Sequence, residues 1–468
     1  MTMSDSWTLL RAAWDLRAAT RAGADGIAAR RQSRLAALMA HARAHSAFYR
    51  DHYAGLPDGP LDMAALRRLP PTSKPDLMAA FDRWVTDPEV TRSAVDGFVG
   101  DPGRVGELFR DRFAVWTTSG TTGVPGRFVH DRQAQAVYQA LAVRLYRSVL
   151  SRELVIRRLR GRRRTAAVFV TGGHFAGAAG LARAQRQHPR LAAGSKLMSA
   201  LDPLPKLVAE LNGFAPSLLA GYPSVLSLLA TEQEAGRLQL APALLIAGGE
   251  QLSSAVRQRA ESAFGCPMRD TYGASEFPGM AYGCGHGWLH LHADWAVLEP
   301  VNADLRPVPP GESSATVLLT NLANRVQPLI RYDLGDRVQM SPEPCACGSP
   351  LPALRVEGRT NDTLAVETRD GRTVRLLPLA VVTVVEETPG VRRCQLVQTG
   401  PATLRVRLEP YPGADPWTDV ARRLRAFLAE QGAPDAGIER ASEPPGPDPR
   451  SGKFRQAWIE LPANAEGR

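Results

Sequence analysis

The chain has 468 residues, 44% hydrophobic and 22% charged, which is enough apolar material for two or three domains with sizeable cores. Lysine and arginine outnumber acids 57 to 47, a net charge of +10, so charge alone leaves open a nucleic acid, a membrane surface or a polyanionic small molecule as partner. No uninterrupted apolar run reaches the ~20 residues of a bilayer span, and Asp5, Arg11 and Asp15 deny the N-terminus an apolar signal core, so no membrane association and a cytoplasmic location are expected.

Taken in order, the chain begins helical. Leu35, Leu38, Met39 and Ala42 fall on one helix face at i, i+3, i+4 and i+7. Residues 51–60 form a Gly/Pro break, and Pro70-Pro71-Thr72-Ser73 sets up a short helix from Lys74 to Phe81. Phe113 to Trp116 and Arg127 to Val129 read as strands flanking Thr117-Thr118-Ser119-Gly120-Thr121-Thr122-Gly123-Val124-Pro125-Gly126, a hairpin-like loop. Its glycines let backbone N–H groups approach an anion, and its hydroxyls add neutral donors for phosphate oxygens. A solvated turn is the bland alternative, and no Walker motif occurs.

A helix is expected over about 133–150. Arg152, Arg157, Arg158, Arg160, Arg162, Arg163 and Arg164 then cluster around one acid, Glu153, as a solvated loop or a phosphate-contacting patch; interleaved aromatics for nucleic-acid stacking are missing. Thr165 to Val170 is an apolar strand ending at Thr171-Gly172-Gly173-His174, where His174 either lines an acyl pocket or is a structural loop residue. Ser217 to Gly221 leads through Tyr222 into a helix opened by Pro223-Ser224. Ala243 to Ala247 leads through Gly248-Gly249-Glu250 into a helix capped by Ser253 and closed by Gly265. The next strand, Met268 to Thr271, contains Asp270 and ends at Tyr272. Such strand–helix units predict a mostly parallel sheet covered on both faces, with ligands beyond the strand carboxyl ends. Further on, Thr316 to Thr320, Pro328 to Asp336, Leu376-Leu377-Pro378, Cys394 to Val397 and Thr403 to Leu408 read as strands, and Val420 to Gln431 as a helix.

Of the five cysteines, Cys266 and Cys394 look like packing residues. Cys284-Gly285-His286 and Cys345-Ala346-Cys347 offer either unconnected loop thiols or one closed Cys3His set suited to structural zinc.

Five stretches in order resemble the adenylate-forming enzymes, the superfamily of acyl-CoA synthetases, adenylation domains and luciferases. They are the hydroxyl loop, Tyr272-Gly273-Ala274-Ser275-Glu276, Arg331-Tyr332-Asp333-Leu334-Gly335-Asp336, Gly358-Arg359-Thr360-Asn361-Asp362, and Ser451-Gly452-Lys453-Phe454-Arg455. Ser46 to Arg50, Leu69 to Lys74 and Gly248-Gly249-Glu250 resemble its phenylacetate-CoA ligase branch. The resemblance implies an α/β fold with a large N-terminal domain, residues 1–357, of mostly parallel sheets covered by helices, and a small mobile C-terminal α+β domain, residues 358–468. It implies an AMP-forming ligase that activates a carboxylic acid, aromatic by branch, with ATP and Mg2+, and passes the acyl group to coenzyme A. An amine, a carrier-protein thiol or nitrite are alternative co-substrates, and a basic nucleic-acid binder is the rival from another class. A homodimer is compatible with the sequence.

By the same resemblance Thr117 to Gly123 hold phosphates, with Thr118 catalytic. Gly248, Gly249, Glu250, Asp270, Tyr272, Gly273 and Ser275 surround the nucleotide, with Gly248, Gly273, His174 and Tyr222 bordering the acyl pocket. Glu276 holds Mg2+, Asp336 accepts both ribose hydroxyls, Arg359 assists at ribose or phosphate, and Lys453 stabilises the forming acyl phosphate. Part of the branch carries zinc where Cys284, His286, Cys345 and Cys347 stand. The chain departs from the family pattern at Val124, in place of a loop lysine, and at Asn361, in place of a hinge aspartate.

Overall fold

A computed structural model describes residues 3–54, 62–118, 126–149, 155–156, 158–159, 163–357, 364–376, 378–446 and 456–460. Its centre is a nine-stranded sheet in the order β13-β14-β9-β8-β7-β6-β5-β3-β4. One half comprises β3 (Thr165–Phe169), β4 (Ser195–Ser199), β5 (Leu218–Gly221), β6 (Leu244–Gly248) and β7 (Met268–Ala274), all parallel. The other half adds β8 (Phe277–Gly283), β9 (Leu289–Leu291), β13 (Val338–Met340) and β14 (Ala353–Val356), each antiparallel to its neighbour. The expected parallel sheet is therefore one half of a mixed one. The switch occurs at β7–β8, whose short connection permits only an antiparallel return.

The parallel half follows from apolar strands alternating with amphipathic helices. The helix Ser254–Phe264 starts where Ser253 Oγ accepts from Val256 N at 3.2 Å and stops at Gly265, left-handed with φ 57°. Chain order reverses around β3, with β4 on one side and β5 on the other, which leaves a crevice at their carboxyl ends. Alongside lie the hairpin of β1 (Ala114–Thr117) and β2 (Arg127–His130), and a sheet of β10 (Ala296–Val301), β11 (Thr316–Asn321) and β12 (Tyr332–Asp333). Only Tyr332 and Asp333 of the expected strand 328–336 pair. Arg331, left-handed at φ 49°, interrupts it, and its buried guanidinium bonds Glu299 at 3.2 Å and Arg67 O at 3.0 Å.

The N-terminal helices Met3–Arg21 and Gly23–His45 bury Leu35, Leu38, Met39 and Ala42 as the periodicity predicts. They join one core with the helix Arg132–Val149. Beyond residue 363 come the hairpin of β15 (Leu364–Glu367) and β16 (Thr373–Leu376), and a sheet β19-β18-β17-β20 built from β17 (Val391–Gly400), β18 (Thr403–Pro410), β19 (Gly437–Arg440) and β20 (Ala457–Ile459). Pro378 opens a helix to Glu386 instead of ending a strand, since proline suits a first helical turn. Gln431 Nε2 donates to Leu201 O at 2.7 Å, tying this part to the parallel half. No helix among the described residues is long and apolar enough to cross a membrane.

Candidate active site

The candidate site residues that the structure describes gather at the carboxyl ends of β3, β5, β6 and β7. Thr117, last residue of β1, is stitched to two of these ends: its N–H donates to His174 O at 2.9 Å, and its carbonyl accepts from Ser275 Oγ at 2.9 Å. Thr118 closes the neck of the hydroxyl loop, its Oγ1 accepting from Gly126 N at 2.9 Å and its N–H reaching Gly126 O at 3.3 Å. Ser119, Gly120, Thr121, Thr122 and Gly123 lie outside the described residues, as do Arg359 and Lys453.

Beside this neck Gly249, at φ +81°, lies under Tyr222, where an added Cβ would meet the ring at 2.9 Å; any side chain there displaces the tyrosine. Gly248 precedes it at the end of β6. Glu250 accepts from Ser224 N at 3.0 Å and Ser224 Oγ at 2.9 Å, so it braces the first turn of the helix Pro223–Glu234. Burial pushes its carboxyl up, and the Ser224 bonds partly offset that. A Cβ on Gly273 would stand 2.3 Å from Gly279 N, so only glycine allows the β7–β8 backbones to approach.

Two carboxylates converge here, each holding a tyrosine hydroxyl. Tyr272 OH donates to Asp336 Oδ2 at 2.8 Å, and Tyr332 OH donates to Glu276 Oε1 at 2.8 Å. Burial pushes the Glu276 carboxyl up and nearby Asp336 adds to the shift; the Tyr332 hydroxyl and the Lys74 ammonium oppose it. Oxygen donors such as these two carboxylates fit a hard cation such as Mg2+. Asp336 stands on the turn after β12, where Gly335 N donates to Asp333 Oδ1 at 2.9 Å.

The backbone of the Glu276 turn is fixed from behind by residues with no motif to announce them. His130 Nε2 lies 2.9 Å from Ser275 O, and its Nδ1 3.1 Å from Tyr138 OH. Asn321 Nδ2 donates to Glu276 O at 3.0 Å and to Tyr138 OH at 2.9 Å. Fully buried, His130 stays neutral, its pKa pushed down to about 3 by desolvation. One assignment satisfies the chain: Asn321 donates to Tyr138, Tyr138 to His130 Nδ1, and His130 Nε2–H to Ser275 O. Lys74 was legible only as part of a resemblance. A bridge between Thr72 and Tyr332, with Asp333 N donating to Thr72 O at 2.9 Å, brings its helix to the carboxylates.

Some expected site residues have other partners. Asp270 is paired with Arg257 at 3.0 Å on β7, with Gly283 packed against its carboxylate. His174 is buried against Phe98, ring centroids 5.0 Å apart, with Nε2 3.5 Å from Asp101 O. Its carbonyl, not its ring, is the part that meets Thr117. The Ser275 hydroxyl is used in holding Thr117.

A second cluster lies at the opposite edge of the sheet. Ligand atoms of Cys284, His290, Cys345 and Cys347 all fall within 4.8 Å of one another. The histidine is His290, correcting the expected His286. The His286 backbone N–H turns back onto Cys284 Sγ at 3.4 Å, whereas β9 pairing with β8 sets His290 opposite Tyr282. Cys284 Sγ and Cys345 Sγ are 3.7 Å apart, matching the ~3.7 Å edge of a tetrahedron with ~2.3 Å metal–sulfur bonds. His290 Nδ1 bonds Leu351 O at 3.2 Å, which leaves Nε2 facing Cys347 Sγ at 3.1 Å; burial lowers the pKa of the ring and favours the neutral ligand form. The donor set fits zinc.

The chain superposes on 2-hydroxyisobutyryl-CoA ligase, captured with 2-HIB-AMP and CoA, with TM-score 0.59 at 22% identity, covering 93% of this chain and 90% of that one. The chain has the adenylate-forming enzyme fold. A second structure of that ligase, with R3-HIB-AMP, gives TM-score 0.55 at 20% identity, covering 93% and 89%. In sequence, the chain is similar to phenylacetate-coenzyme A ligase of Thermus thermophilus, 28% identical over 193 residues, 39% of this chain and 42% of that one. Protein CapK of Staphylococcus aureus is 26% identical over 163 residues, 34% of each chain. The matched segments thus span under half the length of these curated relatives. No family model matches the chain.

Proposed function

We propose that the protein is a cytoplasmic ATP-dependent ligase that converts a carboxylic acid, aromatic by its phenylacetate-CoA ligase likeness, to an acyl-adenylate and transfers the acyl group to coenzyme A. The observation that carries this reading is the pair of tyrosine-held carboxylates, Asp336 on Tyr272 and Glu276 on Tyr332, converging where the hydroxyl loop is anchored. Asp336 accepts the ribose hydroxyls, for which an ionised carboxylate has two acceptor oxygens. Gly249, Glu250 and Tyr272 supply walls for the adenine, and Gly248, Gly273 and Tyr222 border the acyl chain. Mg2+ held by Glu276 would supply charge neutralisation at the phosphates.

A substrate carboxylate oxygen attacks the α-phosphorus, the α–β bridging bond breaks, and pyrophosphate leaves. Thr117 to Gly123 cradle the departing oxygens, with Thr118 nearest the reacting phosphate. Arg359 steadies ribose or phosphate, and Lys453 offsets the negative charge developing between acyl oxygen and α-phosphate. The division into residues 1–357 and 358–468 is supported by separate sheets on either side of residue 363. Zinc on Cys284, His290, Cys345 and Cys347 would be structural. A screen of aromatic, amino-aromatic and fatty acids for pyrophosphate release from ATP tests the reading. Release with an aromatic acid that rises on adding coenzyme A supports it; rescue only by an amine, a carrier protein or nitrite moves the acceptor; no release with any acid removes the activity.

A further inference from the structure

The edge of the sheet that bears the cysteine cluster also borders a cavity of about 670 Å3, walled by the helices Met3–Arg21 and Arg132–Val149 and by the segment 346–351. Arg17, Arg144, Arg147 and Arg269 line it, and among the described residues no carboxylate does. Arg144, 7% exposed, is neutralised on one side by Asp294 at 2.7 Å, yet its buried Nε has no partner among the described residues. The buried Nε of Arg269 is likewise unpartnered, and the carboxylates near it are engaged, Asp270 by Arg257 and Glu261 by Met268 N. Arg17 and Arg147 have no ion pair among the described residues. Thr20, Ser148 and Ser349 add hydroxyls, while Leu16, Val143, Tyr282 and Leu351 give the cavity apolar walls.

Four guanidiniums, of which only Arg144 is paired with an acid, around a concave, partly apolar space whose described lining holds no carboxylate, form a receptor for an anionic head on an apolar body. Guanidinium forks match phosphate and carboxylate oxygens alike, and the volume falls within the ~300–1,000 Å3 range of small-molecule sites. Zinc on three thiolates would place one net negative charge in the wall, which leaves the cationic excess in place. The nucleotide face is at the other end of β7, roughly 17 Å along the strand from Arg269 to Ala274. We propose that this cavity is a second ligand site, separate from the reacting nucleotide, for a small organic anion with a phosphate- or carboxylate-type head and an apolar body.

The test uses the full-length protein and 8-anilinonaphthalene-1-sulfonate, an aryl anion whose fluorescence rises in apolar surroundings, with inorganic phosphate as competitor at constant ionic strength. Wild type and Glu276→Gln, which alters the other face, should bind the dye at one saturable site that phosphate empties. In Arg17→Gln/Arg147→Gln the dissociation constant should rise at least tenfold with an unchanged melting temperature, and Arg147→Lys should stay within about threefold of wild type. If the double variant is unstable, Arg147→Gln alone decides, with at least a threefold loss expected. Unchanged affinity in the glutamine variants, failure of phosphate to displace the dye, or equal loss in Glu276→Gln would overturn the proposal. A carboxylate competitor of the same size, benzoate against phenyl phosphate, then tells which head the cavity prefers.

Discussion

At the carboxyl ends of the parallel strands stand two carboxylates, Glu276 and Asp336, each held by a tyrosine hydroxyl, with Lys74 near Glu276. At the opposite edge, seven residues back along β7, the polar groups are sulfur, imidazole and guanidinium. The first arrangement offers hard oxygen donors, which would suit a hard cation at an anionic substrate. The second divides into a soft-donor cluster that closes on itself and a cationic cavity that asks for an anion. One sheet thus presents two chemistries because the β7–β8 return carries the chain from the first to the second within nine residues, from Glu276 to Cys284.

Breaking the nucleotide face should have the largest effect on catalysis. On the proposed role of Lys453, Lys453→Ala should slow adenylate formation by about two orders of magnitude or more, the loss of an ammonium that offsets charge developing in that transition state. From chemically prepared acyl-adenylate the variant should still make thioester at near wild-type rate; equal loss in both assays would make Lys453 structural. Asp336→Ala should weaken ATP binding by about 1.5–3 kcal/mol, roughly 10- to 150-fold, read by titration calorimetry, since it strips a charged acceptor and leaves Tyr272 OH unpaired.

The opposite edge should answer to metal instead. Purified protein should carry about one equivalent of zinc, and Cys345→Ser or His290→Ala should lose metal and melting temperature together, while His286→Ala keeps both. Metal content that follows His286 would restore the sequence-based assignment.

The last effect is a pH dependence in the support of the Glu276 turn. Since His130 has a folded-state pKa of about 3, below its unfolded value of about 6.5, the unfolded chain binds the extra proton between those limits. Stability from this group is present above pH ~6.5 and falls by about 1.4 kcal/mol per unit as pH drops toward 3. Urea unfolding between pH 7 and 5 should show this slope, and His130→Gln should flatten it while lowering stability at pH 7.

Fold and site were legible to different depths. Elements with strong local signals, such as the Ser253-to-Gly265 helix and the apolar strands β3, β5 and β6, stand where the pattern placed them. The antiparallel half was hidden because register between distant segments such as β9 and β14 leaves no local trace. Tyr272, Glu276 and Asp336 drew attention in the sequence because they lie in compact motifs, and the structure brings them together. Their supports, His130, Tyr138 and Asn321, come from three separate elements and meet only after folding. The exchange of His290 for His286 has the same cause: spacing favours the near histidine, while strand pairing delivers the far one.

The most direct test is carboxylate-dependent exchange of labelled pyrophosphate into ATP, with wild type and Glu276→Gln run side by side over the acid panel. The account predicts exchange that requires both an acid and Mg2+ in wild type, and a fall of about a hundredfold or more in Glu276→Gln with its melting temperature preserved. Full exchange in Glu276→Gln, or none in wild type with any acid, would contradict it.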